Sequence, residues 1–161
     1  MGVRGAIPEF AHHTLLFSRD WTKHFRDMAD RPSWPREPSL YICNPSKTDL
    51  SVAPSGHENL FVLVPVAPGL PETEQSRAEY ADYILDYIER TTHTRFVDRI
   101  VVKEFFSVTD FARRYHSSRG TALGLAHTLR QTALFRPPNR SRRVPNLFFV
   151  GANTTPGIGV P

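Results

Sequence analysis

Leu147-Phe148-Phe149-Val150, followed at once by Gly151-Ala152-Asn153-Thr154-Thr155-Pro156-Gly157-Ile158-Gly159-Val160-Pro161, is the stretch whose reading decides the fold. The apolar run predicts a short strand, and the glycines after it predict a turn of bare backbone. Glycine has no Cβ and takes φ > 0 at little steric cost, so such a turn brings main-chain N–H groups up to a phosphate or a flavin ring. Gly157-Ile158-Gly159 supplies only the first pair of a Gly-x-Gly-x-x-Gly fingerprint, and a glycine-rich turn after a strand also occurs with no ligand. Strand, turn and incipient helix come in order, which would set a positive dipole end near an anionic ligand. The sequence stops where that helix should begin, and this predicts a piece of a larger nucleotide-cofactor protein.

Working outward, 161 residues with 40% hydrophobic and 22% charged side chains suit one ordered domain with a proper core. The 14 prolines cluster in Arg31 to Pro54, Val64 to Pro71 and Arg136 to Pro145, predicting ordered but irregular connections. No apolar stretch approaches the roughly 20 residues of a membrane span, and Met1 to Phe10 lacks the apolar core of a secretory signal. Cys43 is the single cysteine, which rules out an intramolecular disulfide and fits a reducing, cytoplasmic setting. The net charge is +4, and Arg136, Arg140, Arg142 and Arg143 fall within eight residues. Those arginines suit a phosphate, an anionic lipid headgroup or nucleic acid; a solvated loop explains them equally well. No nucleic-acid motif accompanies them, and no aromatics interleave with them as base stacking requires.

Periodicity predicts strands at His13 to Phe17, Ser39 to Asn44, Asn59 to Val66 and Ile100 to Ser107. Asn59 to Val66 is apolar on both faces and predicts a central strand, with pairing weakened at Pro65. Helices are predicted at Arg19 to Ala29, at Thr73 to Arg90 with the stripe Ala81, Ile84, Leu85 and Ile88, and at Asp110 to Tyr115 behind a Thr109 cap. Gly120 to Leu134 also reads as helix, weakened by Gly120 and Gly124, which would admit a close backbone or a flat ligand. Strands and helices mix without strict alternation, an α+β pattern.

Seven histidines raise a metal site, but spacing argues against it. His12 and His13 are adjacent and on a strand would face opposite ways; His24, His57, His93, His116 and His127 show no ligand spacing. No metal ligand is therefore assigned. No Gly-x-Ser-x-Gly elbow exists for nucleophilic catalysis.

Taken together, several ordered blocks resemble the C-terminal part of the bacterial-type phytoene desaturases, FAD-dependent carotenoid desaturases related to the flavin amine-oxidase superfamily. They are Gly2 to Gly5, His12-His13-Thr14 with Phe17-Ser18, Ser39 to Asp49, Ala53 to Leu60, Leu63 to Val66, Asp110-Phe111, Arg119 to Leu125, Phe135 to Arg140 and the terminal run. The resemblance implies a mixed-sheet substrate domain over residues 1–144, enclosing a hydrophobic tunnel for phytoene or a related polyene. It implies that residues 145–161 are the terminal strand and glycine-rich turn of an incomplete FAD-binding domain. By position, Gly151, Ala152, Asn153, Thr154, Thr155, Pro156, Gly157, Ile158, Gly159 and Val160 would contact the cofactor. Asn153 and Thr155 stand where many members read glycine and histidine, so polyene isomerisation or another carotenoid oxidoreduction stays open. The N-terminal dinucleotide-binding unit has no counterpart, and the acid/base candidate proposed for the family lies upstream, so no catalytic residue is named. Peripheral membrane contact through Arg136, Arg140, Arg142 and Arg143 would serve loading of a lipophilic substrate. The isolated chain is expected to be inactive, with tunnel-lining apolar surface exposed. The alternative from a different class is a small basic module binding nucleic acid or anionic surfaces.

Overall fold

Six short strands build two three-stranded sheets in the computed structural model, which describes residues 1–126 and 128–158. The chain divides into two units, Met1–Ser107 and Val108–Pro161; the boundary expected at 144/145 lies inside the second. In chain order the first unit contains β1 (Gly2–Arg4), β2 (His13–Leu16), α1 (Trp21–Phe25), β3 (Leu40–Cys43), β4 (His57–Asn59), β5 (Phe61–Leu63), α2 (Glu74–Thr92) and β6 (Ile100–Val102). One sheet runs β4-β1-β6 and the other β2-β3-β5. Every ladder among the described residues is antiparallel.

The single strand predicted over Asn59 to Val66 is instead two strands in different sheets. Leu60 is the joint: its N–H donates to the Met1 carbonyl at 2.8 Å, and the Met1 ammonium donates to the Leu60 carbonyl at 2.7 Å. Both backbone groups are thus committed to the first sheet before Phe61 to Leu63 pairs with β3 in the second. β5 is an edge strand, and its residues alternate between core and outside. Apolarity on both faces therefore reflected one side buried in this unit and one side left open. Pairing ends at Leu63, two residues before Pro65, which has no N–H to donate.

The core lies between the sheets and α2. Val3, Ile7, Phe10, Leu40, Ile42, Leu60, Ile84, Leu85, Ile88 and Phe96 form one buried cluster, with Phe10 and Phe96 edge-on at 5.7 Å. The α2 stripe buries Ile84, Leu85 and Ile88 as its 3.6-residue period predicts. Thr73 caps α2 in a reciprocal box with Ser76, and His93 ends it in the left-handed conformation at φ 57. Glu89 then accepts from the Phe96 and Val97 amides at 2.7 and 2.8 Å, turning the chain back toward β6. The proline-rich stretch after α1 is pinned to α2, where Tyr80 and Tyr83 donate to the Pro35 and Arg36 carbonyls at 2.9 and 2.7 Å.

A buried polar tie completes this unit. Glu58 accepts from the Lys47 ammonium at 2.8 Å, the Asn44 amide at 2.7 Å and the Ile7 N–H at 3.1 Å. Burial works to raise its pKa, but these three donors outweigh it and hold the carboxyl below its ordinary value.

The second unit has α3 (Val108–Tyr115) and little other regular structure. Thr109 lies inside α3 and is not its cap. Among the described residues of Gly120 to Leu134 no α-helix forms; the chain there makes short 3-10 turns at Ser118–Gly120, Leu129–Gln131 and Ala133–Phe135. Leu147 to Val150 makes no strand, only the single bridge Arg140↔Phe148. β6 likewise stops at Val102, short of the Ser107 predicted. No described helix is long and apolar enough to cross a membrane.

Candidate functional site

The terminal turn is held in shape by backbone and by one arginine. Thr154 is buried; its N–H and its hydroxyl both donate to the Gly151 carbonyl, at 3.1 and 2.9 Å. Thr155 N–H donates to the Pro137 carbonyl at 3.0 Å, and the Thr155–Pro156 peptide is cis. Gly151 sits at φ +125 with nothing within 4 Å of where a Cβ would project, so its exposed backbone is open to close approach. Gly157, at φ +116, serves a different need: a Cβ there would meet Arg136 Nε at 3.0 Å. The guanidinium donates to the Ala152 carbonyl and, at 2.9 Å, to the Leu125 carbonyl. Asn153 Oδ1 accepts from Leu125 N–H at 2.9 Å, filling the space that Gly124 leaves open. Of the residues assigned from the motif, Gly151 to Ile158 form this turn; Gly159 and Val160 lie outside the described residues.

Arg136 is therefore not part of a basic surface. It is 3% exposed and spends its donors on carbonyls, which corrects its assignment to membrane contact. A charge run in sequence does not distinguish a solvated arginine from one organising a turn. Arg140, Arg142 and Arg143 are exposed, with Arg140 over the Phe148 ring at 5.9 Å.

In the first unit, the outer face of the β2-β3-β5 sheet is the second feature. Register pairs His13 with Cys43 and Leu15 with Tyr41 across β2 and β3, then Tyr41 with Leu63 and Cys43 with Phe61 across β3 and β5. Alternation puts all six on one face while Leu16, Leu40, Ile42 and Val62 turn to the core. Leu15, Phe61 and Leu63 are 58%, 54% and 46% exposed. Beside them the rings of Phe17, Trp21 and Phe25 follow in series, the first pair tilted at 5.7 Å and the second stacked at 5.9 Å between centroids. This is a contiguous apolar wall of the kind that marks a binding surface.

That face ends in a cluster the spacing argument dismissed. One ring nitrogen each from His12 and His13 and the Cys43 sulfur all lie within 4.8 Å of one another. His12 precedes β2, so strand alternation does not separate it from His13, and the two rings sit 4.3 Å apart. Cys43 comes from 30 residues along the chain, through the register of β2 with β3. Asn44 N–H donates to the His12 carbonyl, so His13 and Cys43 form a non-hydrogen-bonded pair, whose side chains lie closest. No local motif could have shown this. His12 Nδ1 is 2.7 Å from Thr48 Oγ1, and His13 Nδ1 is 2.7 Å from the Tyr41 hydroxyl. A hydrogen bond with Cys43 raises the Tyr41 pKa, with desolvation adding to it.

No family model matches the chain. Among curated proteins, it is 56% identical over 161 residues to a carotenoid 3,4-desaturase of Haloarcula japonica. It is 35% identical over 165 residues to a zeta-carotene-forming phytoene desaturase of Myxococcus xanthus, and 32% over 163 to a 4,4'-diaponeurosporene oxygenase of Staphylococcus haemolyticus. Each match covers 100% of this chain and 32% of the relative, so the chain spans about a third of their length. From end to end the chain is similar to about a third of two carotenoid desaturases and of a carotenoid oxygenase.

Proposed function

We propose that this chain supplies the polyene-side wall and the flavin-facing turn of an FAD-dependent oxidoreductase that desaturates phytoene or a related carotenoid. The observation that carries the reading is the pairing of end-to-end similarity to carotenoid desaturases with an open apolar sheet face. Carotenoid desaturases are generally FAD-dependent, and the terminal turn fits that group: Gly151 leaves bare, exposed backbone where any Cβ would project into the approach. In this reading Gly151 to Val160 holds the cofactor. Flavin chemistry would take a hydride from the polyene while a proton leaves the adjacent carbon.

The residues of this chain would orient and dehydrate. Leu15, Tyr41, Phe61 and Leu63 would lie along the polyene and exclude water, each contributing the favourable burial of apolar area. Arg136 would fix the turn through the Ala152 and Leu125 carbonyls, holding Gly151 in place. Peripheral membrane contact rests on the exposed Arg140, Arg142 and Arg143, at about 1 kcal/mol each near an anionic surface. Oxygenation of a carotenoid is the second reading, favoured by the 32% similarity to the diaponeurosporene oxygenase.

A chimera tests both. Residues 1–161 would replace the homologous third of the Haloarcula japonica relative, and the product would be assayed in a carotenoid-accumulating host. A desaturated product with a bound-flavin absorbance band supports the first reading, and an oxygenated product the second. A well-folded chimera that holds no flavin sinks both. Gly151→Val is expected to lower flavin content several-fold while leaving the thermal transition of the first unit unchanged.

A further inference from the structure

We propose that His12, His13 and Cys43 form a binding site for a single borderline-soft divalent cation of the Zn2+ class, at the end of the outer face of the β2-β3-β5 sheet. Two imidazoles and a thiolate are a Zn-type donor set, and three protein ligands leave a fourth position open. Their donor atoms already lie within 4.8 Å of one another. A tetrahedral ion needs roughly 3.3–3.8 Å between donors at ordinary bond lengths, so closure takes about an ångström. All three side chains are exposed or half-buried.

The surroundings suit the protonation states such a site requires. Thr48 directs its hydroxyl toward the Pro45 carbonyl at 3.4 Å, so its oxygen is left to accept from His12 Nδ1–H. The Tyr41 hydroxyl lies 2.7 Å from His13 Nδ1 and is placed to accept from it when that nitrogen carries the proton. A ring that donates Nδ1–H to its hydroxyl partner keeps the Nε2 lone pair for a metal, the role outer-shell hydroxyls play around metal-bound histidines. On binding, Cys43 gives its thiol proton to solvent and coordinates as thiolate. His13 and Cys43 come from paired strands, and His12, just before β2, is tied to the same ladder by the Asn44 N–H, so the site is built by the fold. The inference is independent of the flavin reading.

The test uses the full 161-residue chain. Zn2+ affinity is measured by competition with a chromophoric chelator, and Co2+ substitution reports coordination. One equivalent is expected, with a thiolate-to-cobalt charge-transfer band and the strong visible absorption of a four-coordinate ion. Cys43→Ser should abolish the charge-transfer band and weaken Zn2+ binding about 100-fold; His12→Ala and His13→Ala should each weaken it at least about 10-fold. Tyr41→Phe and Thr48→Val should keep the stoichiometry and weaken affinity about 10-fold. Unchanged affinity in Cys43→Ser overturns the site. So does a pale six-coordinate cobalt spectrum without a thiolate band in the unsubstituted chain, a result that depends on no variant folding.

Discussion

The two units of this chain solve the folding problem differently. Met1–Ser107 buries a contiguous apolar cluster of ten side chains drawn from both sheets, α2 and the loops between them. In Val108–Pro161 the buried described residues are Val108, Gly120, Arg136 and Thr154. Gly120 is pressed on the Val108 backbone, while Arg136 and Thr154 bond to carbonyls. Meanwhile Leu129, Leu134, Phe135 and Val150 stand open. Burial of apolar area, worth about 25 cal/mol per Å², specifies the first unit. Main-chain polar contacts, each worth about 1 kcal/mol net, specify the second. A segment organised that way presents backbone, which is what a turn facing a cofactor must do.

The largest effect should come from the core of the first unit. Phe96 is fully buried against Phe10, and Phe96→Ala is expected to cost about 3–5 kcal/mol. Urea unfolding with amide exchange resolved by unit would show it. A loss below about 1 kcal/mol would break the contrast, because the first unit would then not depend on its apolar cluster.

Next comes the buried carboxylate. Because the folded pKa of Glu58 lies below its ordinary 4.5, the unfolded chain takes up the proton first as pH falls. The contribution is present in full above about 4.5 and is lost as pH falls through the depressed folded value. Glu58→Gln leaves the Lys47 ammonium without its carboxylate and should cost about 3 kcal/mol at neutral pH. The variant should also flatten the acid limb of the stability curve. An acid limb identical to that of the unsubstituted chain would show that other carboxylates set it.

In the second unit the matching probe is backbone. Gly120 stands at φ +65, and a Cβ would lie 2.1 Å from the Val108 carbonyl oxygen. Gly120→Ala is expected to cost about 2 kcal/mol, combining left-handed strain with that clash. Amide exchange should accelerate across Val108 to Gly120 and stay unchanged in α2. Equal acceleration in both units would mean that they unfold as one, and the distinction drawn above would fail.

How much of this was legible follows the same division. The α2 stripe could be read because helical period alone decides which side of Ile84, Leu85 and Ile88 faces inward. The β2 and β3 strands could be read for the same local reason. What escaped were facts of pairing and approach. Nothing local says that Leu60 spends both backbone groups on Met1 and so divides a strand between two sheets. Nothing local says that Arg136 turns inward while Arg140, Arg142 and Arg143 do not. The His12–His13–Cys43 cluster needs the β2–β3 register, which joins residues remote in sequence. Gly151 and Gly157 were recognised as turn residues, but only the structure separates the open glycine from the one that makes room for a guanidinium.

The smallest effect tests whether the first unit leans on local signals as well as on its core. Thr73 Oγ1 accepts from Ser76 N–H at 3.1 Å, and Ser76 Oγ accepts from Thr73 N–H at 2.9 Å. Thr73→Ala removes one half of that box and should cost about 1 kcal/mol, well under the Phe96→Ala loss. The first turn of α2 should fray, with faster exchange near Ser76, while Ile84 to Ile88 keep the protection their burial provides. Were the cap to cost as much as Phe96→Ala, helix initiation rather than burial would limit this unit, and it would resemble the second unit more than its buried cluster suggests.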